Sequence, residues 1–325
     1  MLDPRTGGIL AMAVAPGYDA NGFGAVDRAL QRNRAVTDTY EPGSTFKLVT
    51  VAGALSSGIV TPQTQFTLPY SIQVADRVIH DAEPRGTETM SVAQILAKSS
   101  NVGAITLARL LGKDRLVAWI SRFGFGRVTG IDFPGESPGI VLPPERWSGS
   151  TIGNVPIGQG IAVTPIQMAA AYAAIANGGV WTRPHLVDHV GGMHARPTAA
   201  RRIVAPQVAA QLTTMLQNVV LDGTGTLAAI PGYRVAGKTG TAAKPDGHGG
   251  YSDTEYVASF VGFVPATRPQ LVVLVTVDEP RGAIWGGVVA APAFQQIARF
   301  CLQYLEVPPD ASYDRAAGGP RAGAR

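Results

Sequence analysis

Glu41-Pro42-Gly43-Ser44-Thr45-Phe46-Lys47-Leu48-Val49-Thr50-Val51-Ala52-Gly53-Ala54-Leu55-Ser56-Ser57-Gly58 is the stretch on which the reading of this chain turns. Glu41-Pro42-Gly43 breaks the backbone, and Ser44–Leu55 then has the composition of a helix that Ser56-Ser57-Gly58 ends. Ser44 stands at the helix N-terminus, where unpaired N–H groups and the dipole favour negative charge. Residues three apart share a helix face, so the Ser44 hydroxyl and the Lys47 amine can meet. A serine hydroxyl is a poor nucleophile until a base takes its proton. A lysine is a base only when neutral, which requires desolvation or a second cation nearby. With 14 serines and five lysines in the chain, about 0.2 such S-x-x-K matches arise by chance, so this motif needs companions.

Two more polar constellations lie downstream. Ser91–Leu111 has helical spacing of Val92, Ile95, Leu96, Val102, Ile105, Leu107 and Leu110, interrupted by Ser99-Ser100-Asn101. Polar groups inside an apolar stretch cost free energy unless satisfied or set on a cleft. A hydrogen-bonded helix break is the other reading. Lys238-Thr239-Gly240-Thr241 follows the strand-like run Tyr233–Gly237. On an edge strand, a small Gly240 lets a substrate backbone approach, and Lys238 with Thr239 and Thr241 can hold a carboxylate. An ordinary exposed strand end is the alternative.

Gly232 to Thr239 also satisfies G-x-x-x-x-G-K-[ST], but a phosphate loop needs a strand before it and a helix after it. Pro231 precedes Gly232, and Pro245-Asp246-Gly247-His248-Gly249-Gly250 cannot be helical, so nucleotide binding is rejected. Gly223-Thr224-Gly225 follows a predicted helix rather than a strand and is weaker still as a dinucleotide fingerprint. The five histidines have no metal spacing, and no metal or other cofactor is expected.

Further helices are predicted at Arg115–Phe123, at Thr164-Pro165 up to Asn177-Gly178-Gly179, at Pro206–Val220 and at Pro292–Leu305. Ile9–Ala15, Tyr256–Val264 and Leu271–Val277 read as strands, the last two joined as a hairpin through Pro265–Gln270, while Pro62–Thr87 reads as irregular, rich in turn residues and short β-like pieces. Strands at both ends and helices between them predict an α/β (α+β) fold, one sheet with a helical lobe at about 60–230 inserted in it. Residues 1–307 form the domain and Pro308–Arg325 a solvated, disordered tail.

Of 325 residues 46% are hydrophobic and 15% charged, which marks a globular chain. The net charge is +4, and Arg315, Arg321 and Arg325 against Asp314 put half of that in residues 311–325, leaving no case for nucleic acid. The single Cys301 excludes an internal disulfide and reads as a buried inert thiol. No apolar run approaches the ~20 residues that span a bilayer. Met1 reads as an added start with upstream segments removed, and the stretch in hand as soluble.

Ser44–Lys47, Ser99–Asn101 and Lys238–Gly240, taken in this order, resemble the three signatures of the penicillin-recognising serine enzymes. The likeness runs along nearly the whole chain. Leu2–Met12, Arg34-Ala35-Val36-Thr37-Asp38, Asp132–Glu136, Gly158-Gln159-Gly160, Thr164-Pro165-Gln167 and Gly286–Pro292 are similar to segments of class B penicillin-binding proteins. The division-specific septal branch is the most similar. The resemblance implies a β-lactamase/transpeptidase-like fold with a central antiparallel sheet flanked by helices. It also implies a D,D-transpeptidase that cross-links D-Ala-D-Ala stem peptides of peptidoglycan and is acylated by β-lactams.

In that scheme Ser44 is the nucleophile, Lys47 its base, and Ser99 the relay to the leaving amine. Asn101 binds the peptide amide and positions Lys47. Lys238, Thr239 and Thr241, with Gly240 between them, hold the terminal carboxylate. The backbone N–H groups of Ser44 and Thr241 form the oxyanion hole. Family members carry an N-terminal membrane anchor and pedestal. Through that region the resemblance implies a place on the extracytoplasmic face of the bacterial cytoplasmic membrane, and a membrane glycosyltransferase and other divisome proteins as partners.

Three rival functions share the fold. A class A β-lactamase needs a glutamate in an E-x-x-L-N run, which is absent, and a class D enzyme has valine at the position of Asn101. A D,D-carboxypeptidase would pass the acyl group to water. A non-catalytic β-lactam sensor or divisome scaffold would lack polar motif members, and all are intact.

Overall fold

The computed structural model describes residues 1–194, 199–248 and 250–311. A 3₁₀ turn at Gly43–Phe46 runs into helix α1, Lys47–Ser56. Short strands β1 (Gln65–Leu68), β2 (Ser71–Val74), β3 (Arg77–His80) and β4 (Glu88–Ser91) follow. Next come α2 (Val92–Ala97), α3 (Asn101–Leu111), α4 (Lys113–Phe123) and α5 (Pro165–Ala176). Strands β5 (Val180–Thr182) and β6 (Ala200–Arg202) pair before α6, Pro206–Asp222. The long strands β7 (Ala236–Pro245), β8 (Tyr251–Val264) and β9 (Leu271–Asp278) lead to α7, Gly286–Tyr304.

The three long strands form an antiparallel sheet in the order β9–β8–β7, with β7 at its edge. Alternation along the strands sorts the side chains to two faces. Phe260, Val264, Leu271 and Val273 pack with Phe294, Ala298 and Leu302 of α7, the Phe260 and Phe294 rings 4.7 Å apart. Val261, Phe263 and Val272 face the larger core, with Tyr172 of α5 and Leu212 and Leu216 of α6. Each such side chain, fully buried, stabilises by ~2 kcal/mol. Helix α1, buried along nearly all its length, runs through this second core against α3, α4 and α6.

The helix signals hold at α5, where Thr164 and Gln167 form a capping box ahead of Pro165, and Gly178 and Gly179 take positive φ after it. Several boundaries differ from expectation. Ile9–Ala15 is not a strand, and the N-terminus instead folds back as the turn Asp3–Gly8. Leu2 alone exchanges two backbone bonds with Val272, at 3.0 and 2.9 Å. Thus the chain end does join the sheet, through one residue pair. The run expected over Tyr233–Gly237 is displaced, because Gly232 turns with φ 82° and the strand starts at Ala236, carrying Lys238–Thr241 in its interior. No helix follows Lys238-Thr239, so the phosphate-loop reading stays rejected.

Ser91–Leu111 is two helices, broken where Ser99 takes φ 60°. Helix α7 starts six residues ahead of Pro292, which lies inside it. In Pro62–Thr87 the expected short β-like pieces are β1, β2 and β3. Residues 308–311 are attached: Asp310 accepts from the Arg234 N–H at 2.7 Å and from the Thr267 hydroxyl at 2.6 Å. Residues 312–325, with the tail charges, lie outside the described residues. Cys301 is half-buried, its thiol pushed up by desolvation. No helix among the described residues is long and apolar enough to cross a membrane.

Candidate active site

The turn that carries Ser44 is held by backbone packed on backbone. Gly43, at φ 53°, donates to the Gly158 carbonyl at 3.1 Å, and a Cβ there would lie 2.8 Å from the Thr241 carbonyl oxygen. Gly158, at φ 80°, fits still more closely, for its Cβ would fall 2.1 Å from the Gly43 oxygen. The Thr45 hydroxyl donates to the Pro42 carbonyl at 2.8 Å, and the buried Tyr172 hydroxyl donates to the Thr45 carbonyl at 2.9 Å. These contacts leave Ser44 half-buried at the start of the turn, its N–H among the unpaired first donors.

Lys47 is 1% exposed, and its amine is the hub of the site. It lies 3.0 Å from Ser44 Oγ, 2.7 Å from Asn101 Oδ1 and 3.2 Å from Ser99 Oγ, and also donates to the Ser99 carbonyl. Desolvation lowers its pKa to about 7, against a smaller opposing pull from the Asp81 carboxylate. Burial therefore supplies the condition the sequence reading set: an amine available as a base near neutral pH. Ser99 hangs on the break between α2 and α3 in a left-handed conformation that is unfavourable for a non-glycine residue.

The strain at Ser99 is held by a residue the sequence reading missed. Asp81, 5% exposed, accepts from the Ser100 hydroxyl (3.0 Å), the Val102 N–H (3.0 Å), the Asn101 N–H and Arg85 Nε (2.9 Å). Its carboxylate thus caps α3, where the helix dipole favours negative charge. Arg85 ties the same group to the Leu68 and Pro69 carbonyls. Asn101 Nδ2 donates to the His80 carbonyl at 3.0 Å, which orients Oδ1 toward Lys47. The sequence clue to Asp81 was slight: one acid twenty residues before Asn101 in a segment read as irregular.

Strand β7 forms the other wall. Lys238 is 0% exposed, and its pKa is pushed well below the usual lysine value by burial and then by repulsion from Lys47. Its amine donates to the Thr239 carbonyl and hydroxyl, both at 3.2 Å. Among the described residues no hydrogen bond joins it to Ser99. Thr239 Oγ1 also lies 2.7 Å from Thr224 Oγ1. Thr241 Oγ1 accepts from the Gly286 N–H at 3.0 Å, so its own hydroxyl hydrogen is free to donate. The Thr241 carbonyl faces Gly43, and a strand residue directs N–H and C=O to the same side, so its N–H points to the nucleophile turn as well.

Gly240 serves a different purpose from the one expected. A Cβ there would meet Ser259 Oγ at 2.4 Å and the Pro42 carbonyl at 2.9 Å, so its smallness seats β7 on the turn rather than admitting substrate. Glu41 was also missed as a site residue. Its Oε1 accepts from the Gly160 N–H (2.9 Å) and the Tyr251 hydroxyl (3.1 Å), joining the turn to a loop and to the start of β8, and burial pushes its carboxyl up.

Residues 1–299 match the penicillin binding protein transpeptidase domain family. The chain is 38% identical over 318 residues to stage V sporulation protein D of Bacillus subtilis, covering 95% of this chain and 49% of the relative. It is 37% identical over 325 residues to the probable peptidoglycan D,D-transpeptidase PbpC of Pseudomonas aeruginosa, covering 99% and 56%. It therefore spans about half the length of these curated relatives. The crystal structure of penicillin binding protein 3 from Mycobacterium tuberculosis, complexed with aztreonam, superposes with a TM-score of 0.86 at 35% identity, covering 96% of this chain and 73% of that one. By its motifs, its fold and these matches, the chain belongs to the penicillin-binding protein transpeptidase family, among the class B members.

Proposed function

We propose that this domain is a peptidoglycan D,D-transpeptidase acting through a Ser44 acyl-enzyme. The observation that carries the reading is the Lys47 amine, held 3.0 Å from Ser44 Oγ with its pKa lowered by burial to about 7. Lys47 takes the hydroxyl proton as Ser44 Oγ bonds to the penultimate D-alanine carbonyl. The oxyanion is met by the N–H groups of Ser44 and Thr241. When the C–N bond breaks, the proton passes through Ser99 to the departing D-alanine amine. A second stem-peptide amine then attacks the ester, loses its proton to the same base and releases Ser44.

Asn101, with one amide hydrogen still free, orients the donor peptide. Lys238, Thr239 and Thr241 receive its carboxylate, with Gly240 seating the strand. Residues 1–307 form the catalytic unit, with the helical lobe at about 60–230 set into the sheet. β-Lactams acylate the same serine. In the longer protein the domain works at the extracytoplasmic face of the membrane in division, beside a glycosyltransferase and other divisome proteins.

Intact-mass spectrometry after incubation with a penicillin tests the reading. A lasting adduct on the wild type, absent from a folded Ser44→Ala variant, supports it. An adduct that vanishes as free penicillin is consumed would replace it with a β-lactamase, and no adduct at all would replace it with a scaffold.

A further inference from the structure

Apart from the active site, the molecule has a cleft of about 350 Å³ between the end of α4, the segment after it and the β5–β6 pair. Phe123 and Trp181 contribute its apolar surface, and Ser121, Thr129, Arg127 and Arg201 its polar one. The volume falls at the small end of the range for ligand sites, ~300–1,000 Å³. Arg201 lies over the Trp181 ring, its guanidinium carbon 4.9 Å from the centroid, and also donates to the Arg122 carbonyl. The stacking holds the planar cation in one orientation.

The charges here are not balanced. Arg122 and Arg127 both oppose the positive charge of Arg201, and no acidic group acts on it to offset them. Among the described residues none of the three arginines forms an ion pair. Glu136, close by in the chain, is committed to the N–H groups of Thr129 and Gly130 at 2.6 and 3.0 Å. The C-terminus of α4 offers the arginines only about half a negative charge. Beside the cleft, Arg183 runs past Gly130, and its buried Nε has no hydrogen-bond partner among the described residues.

We propose that this cleft is an anion site for a phosphate or diphosphate group. Two guanidinium groups line the cleft, those of Arg127 and Arg201, while Arg122 adds positive charge beside it with its own guanidinium set against Trp119 and its Nε donating to the Ile203 carbonyl. A tetrahedral dianion presents acceptors to donors converging from both walls, and the guanidinium fork matches its paired oxygens. The Ser121 and Thr129 hydroxyls complete the donor set.

The test is calorimetric titration with inorganic pyrophosphate at low ionic strength, where exposed arginines are least screened. Saturable binding is expected, weakened at least tenfold in Arg127→Gln and lost in Arg127→Gln/Arg201→Gln, with penicillin acylation of Ser44 unchanged in both. Arg127 forms no hydrogen bond through its exposed side chain in the described structure, so its replacement leaves the fold intact. Absence of saturable binding, equal affinity in the variants, or equal affinity for succinate would overturn the proposal. Sedimentation with phosphatidylglycerol vesicles, but not phosphatidylcholine vesicles, lost in Arg127→Gln, would identify a lipid headgroup as the source. Pyrophosphate binding without sedimentation would identify a soluble phosphate.

Discussion

Titrating the acylation of Ser44 across pH 5.5 to 9.5 puts the Lys47 assignment at risk. The amine is competent only when neutral, and its pKa of about 7 makes the neutral fraction rise with pH through neutrality. About one molecule in eleven is competent at pH 6 and about ten in eleven at pH 8, so the rate constant rises ~10-fold from pH 6 to pH 8, equivalent to ~1.4 kcal/mol. The same group links folding to pH. Between about 7 and 10.5 the unfolded chain keeps the lysine proton that the folded chain has lost, so stability rises with pH there. Relative to Lys47→Met, wild-type stability should therefore climb by ~1.4 kcal/mol per pH unit across that window and stay level below it. Stopped-flow acylation by a fluorescent penicillin measures the first effect, and urea unfolding of both proteins the second. A rate flat from pH 6 to 9, together with no slope in the stability difference, would refute burial as the source of the base.

Four other expectations concern the supports of the site. Asp81→Ala strips a buried, ion-paired carboxylate from the α3 N-terminus, so denaturation should show a loss of ~3–5 kcal/mol. In Asp81→Asn the pull that holds the Lys47 proton is gone, and the rising limb of the acylation profile should move to lower pH. Gly158→Ala forces a methyl group to within 2.1 Å of the Gly43 oxygen at a φ of 80°. A loss of at least ~2 kcal/mol and a fall in acylation of more than tenfold should follow, read by melting and by adduct formation. Tyr172→Phe removes one buried hydrogen bond to the Thr45 carbonyl and should cost ~1–2 kcal/mol in urea unfolding.

What was legible in the sequence was local. Three positions on one helical turn are enough to bring Ser44 to Lys47, and Thr164-Pro165 announces α5 through capping chemistry carried within four residues. The long strands β8 and β9 declared themselves by β-branched and aromatic content. The rest depended on contacts distant in the chain. Apolar spacing continues on both sides of Ser99, so periodicity alone predicts one helix, while the break follows from Asp81, itself held by Arg85, gripping the next turn. Leu2 joins the sheet through a single pair, which has no periodicity to detect. The purpose of Gly240 was misread because its neighbours, Pro42 and Ser259, approach only in the folded chain.

The Gly43–Gly158 contact bears on how such a site withstands selection by an inhibitor that copies its substrate. Neither glycine can gain a side chain without displacing Ser44, on which the proposed reaction with substrate and with drug depends. Escape through these positions would disable the enzyme along with the inhibitor's target. Heritable tolerance must therefore accumulate around the rim, at residues whose side chains already face open space, where affinity for the drug can drift while the seat of the nucleophile stays as it is.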